Sequence, residues 1–188
     1  MFTYIRVKNF KSLKDVKFNL NRTKTKTNNF IAIYGENGSG KTNLVELFKF
    51  LQQITISRII DVKLNMMPKE FFDLKEKMLD NIPIDMKPLW QLSINLEEYR
   101  MINEKEDTEI EYGFKINDKE GFYSIRFNTE IVEEKLYYFV GKQRGYYFKL
   151  LKDDKGIVKE LNNNIFINEK YNKELEENIE KYWGKYSF

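Results

Sequence analysis

The sequence predicts an α/β domain: a mixed sheet around one buried strand, a helix packed on it, and an antiparallel β subdomain. Three observations carry this. The apolar run Phe30–Tyr34 passes through a glycine-rich bend into Leu44, Leu47, Phe48, Leu51 and Ile54, which recur at three- and four-residue spacing. Ahead of it, "LKDVKFNL" alternates, with Val16, Phe18 and Leu20 on one face and Asp15, Lys17 and Asn19 on the other. From Trp90 the period becomes two: Trp90, Leu92, Ile94 and Leu96, then Ile110, Tyr112, Phe114 and Ile116, then Tyr123, Ile125 and Phe127.

Each element follows in order. "FTYIRVKNF" alternates loosely and is rich in β-formers, and "KNFKS" turns it into the alternating "LKDVKFNL". Residues 21–29, "NRTKTKTNN", form a polar, basic loop. Phe30–Tyr34 is continuously apolar, the mark of a strand covered on both faces. A helix begins near Thr42. Within 55–88, "PKEFFDLKEKMLDN" predicts a short helix with Pro68 in its first turn, and Pro83 and Pro88 interrupt the pattern. Residues 89–161 form an antiparallel meander of about five strands, with "NDKEG" and "KDDKG" as hairpin turns. Over 168–185, Tyr171, Leu175, Ile179 and Tyr182 sit at helical spacing, and Asn168 is placed to cap that helix. The expected organisation is one lobe spanning 1–188, with 1–54 as hairpin, central strand and helix.

Composition narrows the function classes. The chain has 188 residues, 41% of them hydrophobic, which is enough for one domain with a core. Its 32 basic and 29 acidic residues nearly balance, so net charge argues for neither nucleic acid nor membrane. With no cysteine and no histidine, disulfides, thiolate or imidazole metal ligands, thiol nucleophiles and histidine general bases are excluded. No apolar stretch resembles a signal peptide or a membrane span, so the reading is a cytoplasmic protein with no membrane partner.

The glycine bend carries the chemistry. Gly35-Glu36-Asn37-Gly38-Ser39-Gly40-Lys41-Thr42 fits G-x-x-x-x-G-K-[ST], the Walker A phosphate loop, between an apolar run and an amphipathic helix. A triphosphate presents many acceptor oxygens, and backbone amides meet them best where no Cβ intervenes. The following helix adds free N–H groups and its positive dipole end. Lys41 is placed for the β- and γ-phosphates, and Thr42 for a magnesium ion bridging them. The expected ligands are ATP or ADP with Mg.

"YIRVKNFKSLKDVKFNL", a basic loop and "FIAIYGENGSGKTNLVELFKFL" together resemble the N-terminus of SMC/RecF-like ABC-type ATPases, a group that takes in many bacterial "AAA family ATP-binding proteins". Asn9-Phe10-Lys11-Ser12 matches the group's N-F-[KR]-S turn, and Gly35–Asn43 matches its G-x-N-G-[SA]-G-K-[ST]-N loop. The resemblance implies that Lys11 and Ser12 approach base or phosphate. It also implies that ATP acts as glue in a dimerising head, with roles in phage defence, toxin–antitoxin systems or DNA repair. The sharp motifs lie in the first 51 residues, and the later strands resemble the group's accessory antiparallel sheet.

Other parts of such a head are missing from the sequence. No L-S-G-G signature and no switch histidine occur, and neither "LEEY" (Leu96–Tyr99) nor "VEEK" (Val132–Lys135) follows a four-residue apolar run. Both acidic pairs read as solvated strand ends. The expectation is an N-terminal lobe, part of a longer or split protein, that binds ATP–Mg but has no residue assignable to activating water. It would be completed by a C-terminal lobe or by homodimerisation. "RTKTKT" (Arg22–Thr27) could meet DNA phosphates but reads as a solvated loop. "KLYYFVGKQRGYYFKLL" interleaves basic and aromatic residues as single-strand binders do, and reads rather as half-buried sheet. Two rival functions stand beside the lobe reading: a complete small P-loop phosphotransferase, against which the six arginines do not cluster, and a nucleotide-regulated binding module without enzymatic activity.

Overall fold

The computed structural model describes residues 1–21, 30–65, 95–140, 142–162 and 169–188. Seven strands form one sheet: β1 (Phe2–Phe10), β2 (Leu13–Asn19), β3 (Thr108–Ile116), β4 (Lys119–Phe127), β5 (Ile131–Val140), β6 (Gln143–Asp153) and β7 (Gly156–Leu161). Their order is β2-β1-β3-β4-β5-β6-β7, and every pairing is antiparallel. Two α-helices accompany them among the described residues, α1 (Lys41–Asn65) and α2 (Glu169–Tyr182).

The hairpins form where the sequence places turn chemistry. Asn117 and Asp118 both have positive φ, 48° and 60°, the twist-matched geometry of a two-residue hairpin turn. Inward-facing residues come from alternate positions: Ile5 and Val7 on β1, Ile110 and Tyr112 on β3, Ile125 and Phe127 on β4. α1 lays Leu44, Leu47, Phe50 and Ile54 onto this surface in one hydrophobic cluster. Phe50 stacks on Phe127 at 5.1 Å, and the Tyr112 hydroxyl donates to the Leu47 carbonyl at 2.6 Å. α2 covers the same face further along, through Ile179, Leu175 and the following Trp183. Of the stripe expected on α2, Tyr171 is solvent-exposed.

Four expectations change. The sheet is antiparallel throughout the described residues, not mixed, because β1 joins hairpin and meander edge to edge and leaves no separate β subdomain. Phe30–Tyr34 is not a buried strand: Phe30 is 84% and Tyr34 90% exposed, and the segment makes no backbone hydrogen bond among the described residues. An apolar run is covered on both faces only when strands flank it, and here β3 occupies the free edge of β1. α1 continues past Ile54 to Asn65, across the expected boundary at 54. Leu96 belongs to a 3-10 turn, Leu96–Tyr99, not to a strand. The expected Pro68 helix, the Trp90–Ile94 positions, the Arg22–Thr27 loop and the Asn168 cap lie outside the described residues.

Candidate functional site

The glycine bend leads directly into α1. Gly38 and Gly40 have φ of 84° and 88°, conformations open to glycine and strained for residues with a Cβ. At Gly35 the constraint is space: a Cβ would lie 2.9 Å from Ser39 Oγ. The bend closes with the Ser39 amide donating to the Glu36 carbonyl at 3.2 Å. The amides of Gly38, Gly40, Lys41 and Thr42 find no partner among the described residues. The first turn of α1 carries no acidic side chain to offset its positive end. Open amides around a turn at an unshielded helix N-terminus suit an anion.

Lys41 folds back over the bend. Its ammonium donates to the carbonyls of Gly35 and Glu36, both at 2.6 Å, and meets no carboxylate. Thr42 is exposed and its hydroxyl has no partner among the described residues. No cluster of acidic residues able to hold a metal ion occurs among them. The Thr42 hydroxyl, with phosphate oxygens and several waters, would suit the octahedral shell of a magnesium ion.

The β1–β2 turn buttresses the exit of the bend. Asn43 Nδ2 donates to Ser12 Oγ at 2.7 Å, and a Cβ on Gly40 would lie 3.1 Å from Leu13 Cδ2. Asn9 and Lys11 both adopt positive φ to make this turn, 55° and 50°. It is held by Lys11 N–H donating to the Tyr99 carbonyl and by Asn9 accepting from Met101 N–H and Thr108 Oγ1. The structure thus joins Ser12, Gly40 and Asn43. Lys11 goes elsewhere: its ammonium pairs with Glu46 on α1 and lies 5.1 Å from the Tyr99 ring centroid. Burial, and then the Glu46 carboxylate, raise the Tyr99 phenol above its ordinary pKa.

Two features escaped the sequence reading. Phe30, Ile31 and Ile33 line an apolar groove of about 480 Å³ together with Phe2, Leu20, Leu44 and Phe48. Glu134, read as a solvated strand end, is fully buried beneath the C-terminal residues. It accepts from Tyr123 OH (2.8 Å), Ser187 Oγ (2.5 Å), Trp183 Nε1 (2.8 Å) and Phe188 N–H (3.0 Å). A signal existed: Glu134 stands two residues before inward-facing Leu136, hence on the same face of β5. Its neighbour Glu133 is half-buried, beside Arg126 and Lys135. Glu97 and Glu98 are exposed as expected. No helix among the described residues is long and apolar enough to cross a membrane.

Residues 30–178 match the family model described as "AAA domain, putative AbiEii toxin, Type IV TA system". The match includes the whole glycine bend and begins after the β1–β2 hairpin. No curated protein matches the chain.

Proposed function

Because the chain belongs to this AAA-domain family of P-loop ATPases, we propose that Gly35–Asn43 binds ATP–Mg and that the chain is the nucleotide-binding lobe of a dimerising ATPase head. The observation that carries the reading is the row of open amides at the unshielded start of α1, with the Lys41 ammonium, which meets no carboxylate, lying on the same bend. Gly35, Glu36, Asn37, Gly38, Ser39 and Gly40 supply backbone around the β- and γ-phosphates. Lys41 leaves the two carbonyls for phosphate oxygens, and Thr42 holds the metal they chelate. Ser12 acts through Asn43, holding the first turn of α1 against the hairpin. Lys11 reaches the nucleotide only by giving up Glu46.

The SMC/RecF-like form of this reading rests on the N-F-K-S turn and its place beside Asn43. The bare strand-like run Phe30–Tyr34 and the apolar groove beside it support a completing lobe that pairs with that run. Among the described residues none near the bend is placed to activate water, and on this reading the lobe alone holds ATP without turning it over at the rate of a complete head. A place in phage defence, a toxin–antitoxin system or DNA repair follows from the resemblance.

Calorimetry with ATP and magnesium tests the reading. Wild type is expected to bind, and Lys41→Ala to lose about 1.5–3 kcal/mol, the value of a charge-assisted hydrogen bond, hence about 10- to 150-fold in affinity. Absence of nucleotide binding by wild type overturns the site. Turnover at the rate of a complete head overturns the lobe assignment while leaving the site intact.

A further inference from the structure

The sheet face opposite the helices carries an aromatic row that the core does not use. Tyr4, Gly113, Phe122, Tyr137 and Tyr146 are successive register partners on β1, β3, β4, β5 and β6. Four inter-strand spacings of about 4.8 Å make the row about 19 Å long. Phe122 stacks on Tyr137 at 5.3 Å with 16° between planes, and Tyr146 meets Tyr137 edge-on at 5.1 Å. Gly113 makes room for the remaining ring: a Cβ there would lie 2.1 Å from Tyr4 Cε1, so the Tyr4 ring covers that strand position. None of the four rings belongs to the buried cluster or to the side chains packed against it, and each keeps part of its surface in solvent.

Cations stand at both ends of the row. The Lys17 ammonium lies 4.5 Å from the Tyr4 centroid, and that of Lys149 lies 5.9 Å from the Tyr146 centroid. Arg6 begins the neighbouring row, which runs in register through Glu111, Ser124 and Lys135 to Lys149. Arg6, Lys17 and Lys149 have no carboxylate partner among the described residues. Two of the carboxylates beside the rings are engaged, Glu111 by the Tyr4 hydroxyl at 2.8 Å and Glu133 by Lys135 at 2.7 Å.

We propose that this face is a docking platform for single-stranded nucleic acid. Bases stack on Tyr4, Phe122, Tyr137 and Tyr146, while Arg6, Lys17 and Lys149 meet the phosphates. The pattern fits that chemistry on two counts. The part-exposed rings of the row offer stacking surface to any base whose face is free, and the ammonium groups of Lys17 and Lys149, which lie over the terminal rings, can swing from them to the backbone between bases. A duplex hides its base faces in its own stack and offers this row nothing but charge. The proposal does not depend on the nucleotide reading, because it concerns the opposite face of the sheet.

The test is fluorescence anisotropy without nucleotide, using labelled oligothymidylate of about 12 residues, within the span one such surface covers. A blunt duplex of equal length and heparin serve as competitors. The single strand is expected to bind, with log affinity falling against log salt by about 0.7 per phosphate contacted. Tyr137→Leu is expected to weaken binding about 5- to 150-fold, the range for one lost stacking ring. Arg6→Glu combined with Lys149→Glu is expected to weaken it and flatten the salt slope, whereas Tyr171→Ala on α2 leaves it unchanged. Any one of three results overturns the proposal: no binding by about 100 µM, the weak limit for charge-driven association; duplex or heparin competing as well as single strand; or a folded Tyr137→Leu with wild-type affinity. If Tyr137→Leu fails to fold, unchanged affinity in the charge variant overturns it equally.

Discussion

Glu134 offers a quantitative test of how the C-terminal residues are held. Its carboxylate is fully buried and takes four donors, two on each oxygen. Truncation to alanine strands those donors unequally. Tyr123 and Ser187 are hydroxyls 3.3 Å apart and can turn to one another. The Phe188 amide is only part-buried and can turn to water, but Trp183 Nε1 is a buried obligate donor with nowhere to turn. One buried N–H group without a partner costs about 1–3 kcal/mol. For a chain of this size that lowers Tm by about 2–12 °C. Glutamine behaves differently: its oxygen can keep Trp183 and Phe188 while its amide donates to the two hydroxyl oxygens, so the loss stays within about 1 kcal/mol.

The same pair of variants separates charge from hydrogen bonding. Burial, the largest influence, raises the Glu134 pKa above its ordinary value of 4.5, against the lowering effect of its donors. Between 4.5 and the raised value, the folded chain keeps a proton that the unfolded chain has released. Stability contributed by this group therefore falls as pH rises through that window. Glu134→Gln removes the slope, so its stability relative to wild type is expected to improve as pH rises from about 4.5 toward neutrality. Thermal and urea unfolding at several pH values read both effects. An alanine variant that melts within a degree of wild type, or parallel pH profiles for wild type and Glu134→Gln, would refute the reasoning.

Two glycines give further predictions. Gly40→Ala must place a Cβ 3.1 Å from Leu13 Cδ2 at a φ of 88°, so it is expected to cost about 1–2 kcal/mol in stability. Nucleotide binding in calorimetry should fall with it, while an alanine at exposed Val45 leaves stability within about 0.5 kcal/mol. Gly113→Ala meets the Tyr4 ring at 2.1 Å and must expel it, at a cost of about 1–3 kcal/mol by urea unfolding. A red-edge change in tyrosine absorbance, as the Tyr4 hydroxyl leaves Glu111, would accompany it.

What the sequence revealed and concealed divides along a physical line. Alternation is a local property, so β1, β2 and the strands through Phe148 were legible, as was the start of α1 within one residue. The phosphate-loop motif was legible because its glycines answer to backbone geometry inside the motif, and Gly38 and Gly40 do adopt left-handed φ. Glu134 was not, because a carboxylate looks the same in sequence whether water or four donors surround it. The aromatic row was half legible: "KLYYF" and "YYFKLL" announce aromatic strands, but only register shows that Tyr137 and Tyr146 share a face with Phe122 and Tyr4.

Phe30–Tyr34 concealed most, and it bears most on the proposed function. Its composition states a demand for flanking strands, and the described residues do not meet that demand. The two ends of the glycine bend therefore differ. The exit is fixed by Leu13 against Gly40 and by Ser12 bonded to Asn43. The entry hangs from a segment without backbone hydrogen bonds to the rest of the described chain. Under the proposed reading, nucleotide bound at the bend must order that entry at the cost of conformational entropy, about 1–2 kcal/mol for each residue fixed. A strand pairing with Phe30–Tyr34 would order it beforehand, so nucleotide and completing lobe would each strengthen the binding of the other. Linkage makes the two gains equal. On that argument the bare apolar run is the element through which occupancy of the bend and assembly of the head communicate.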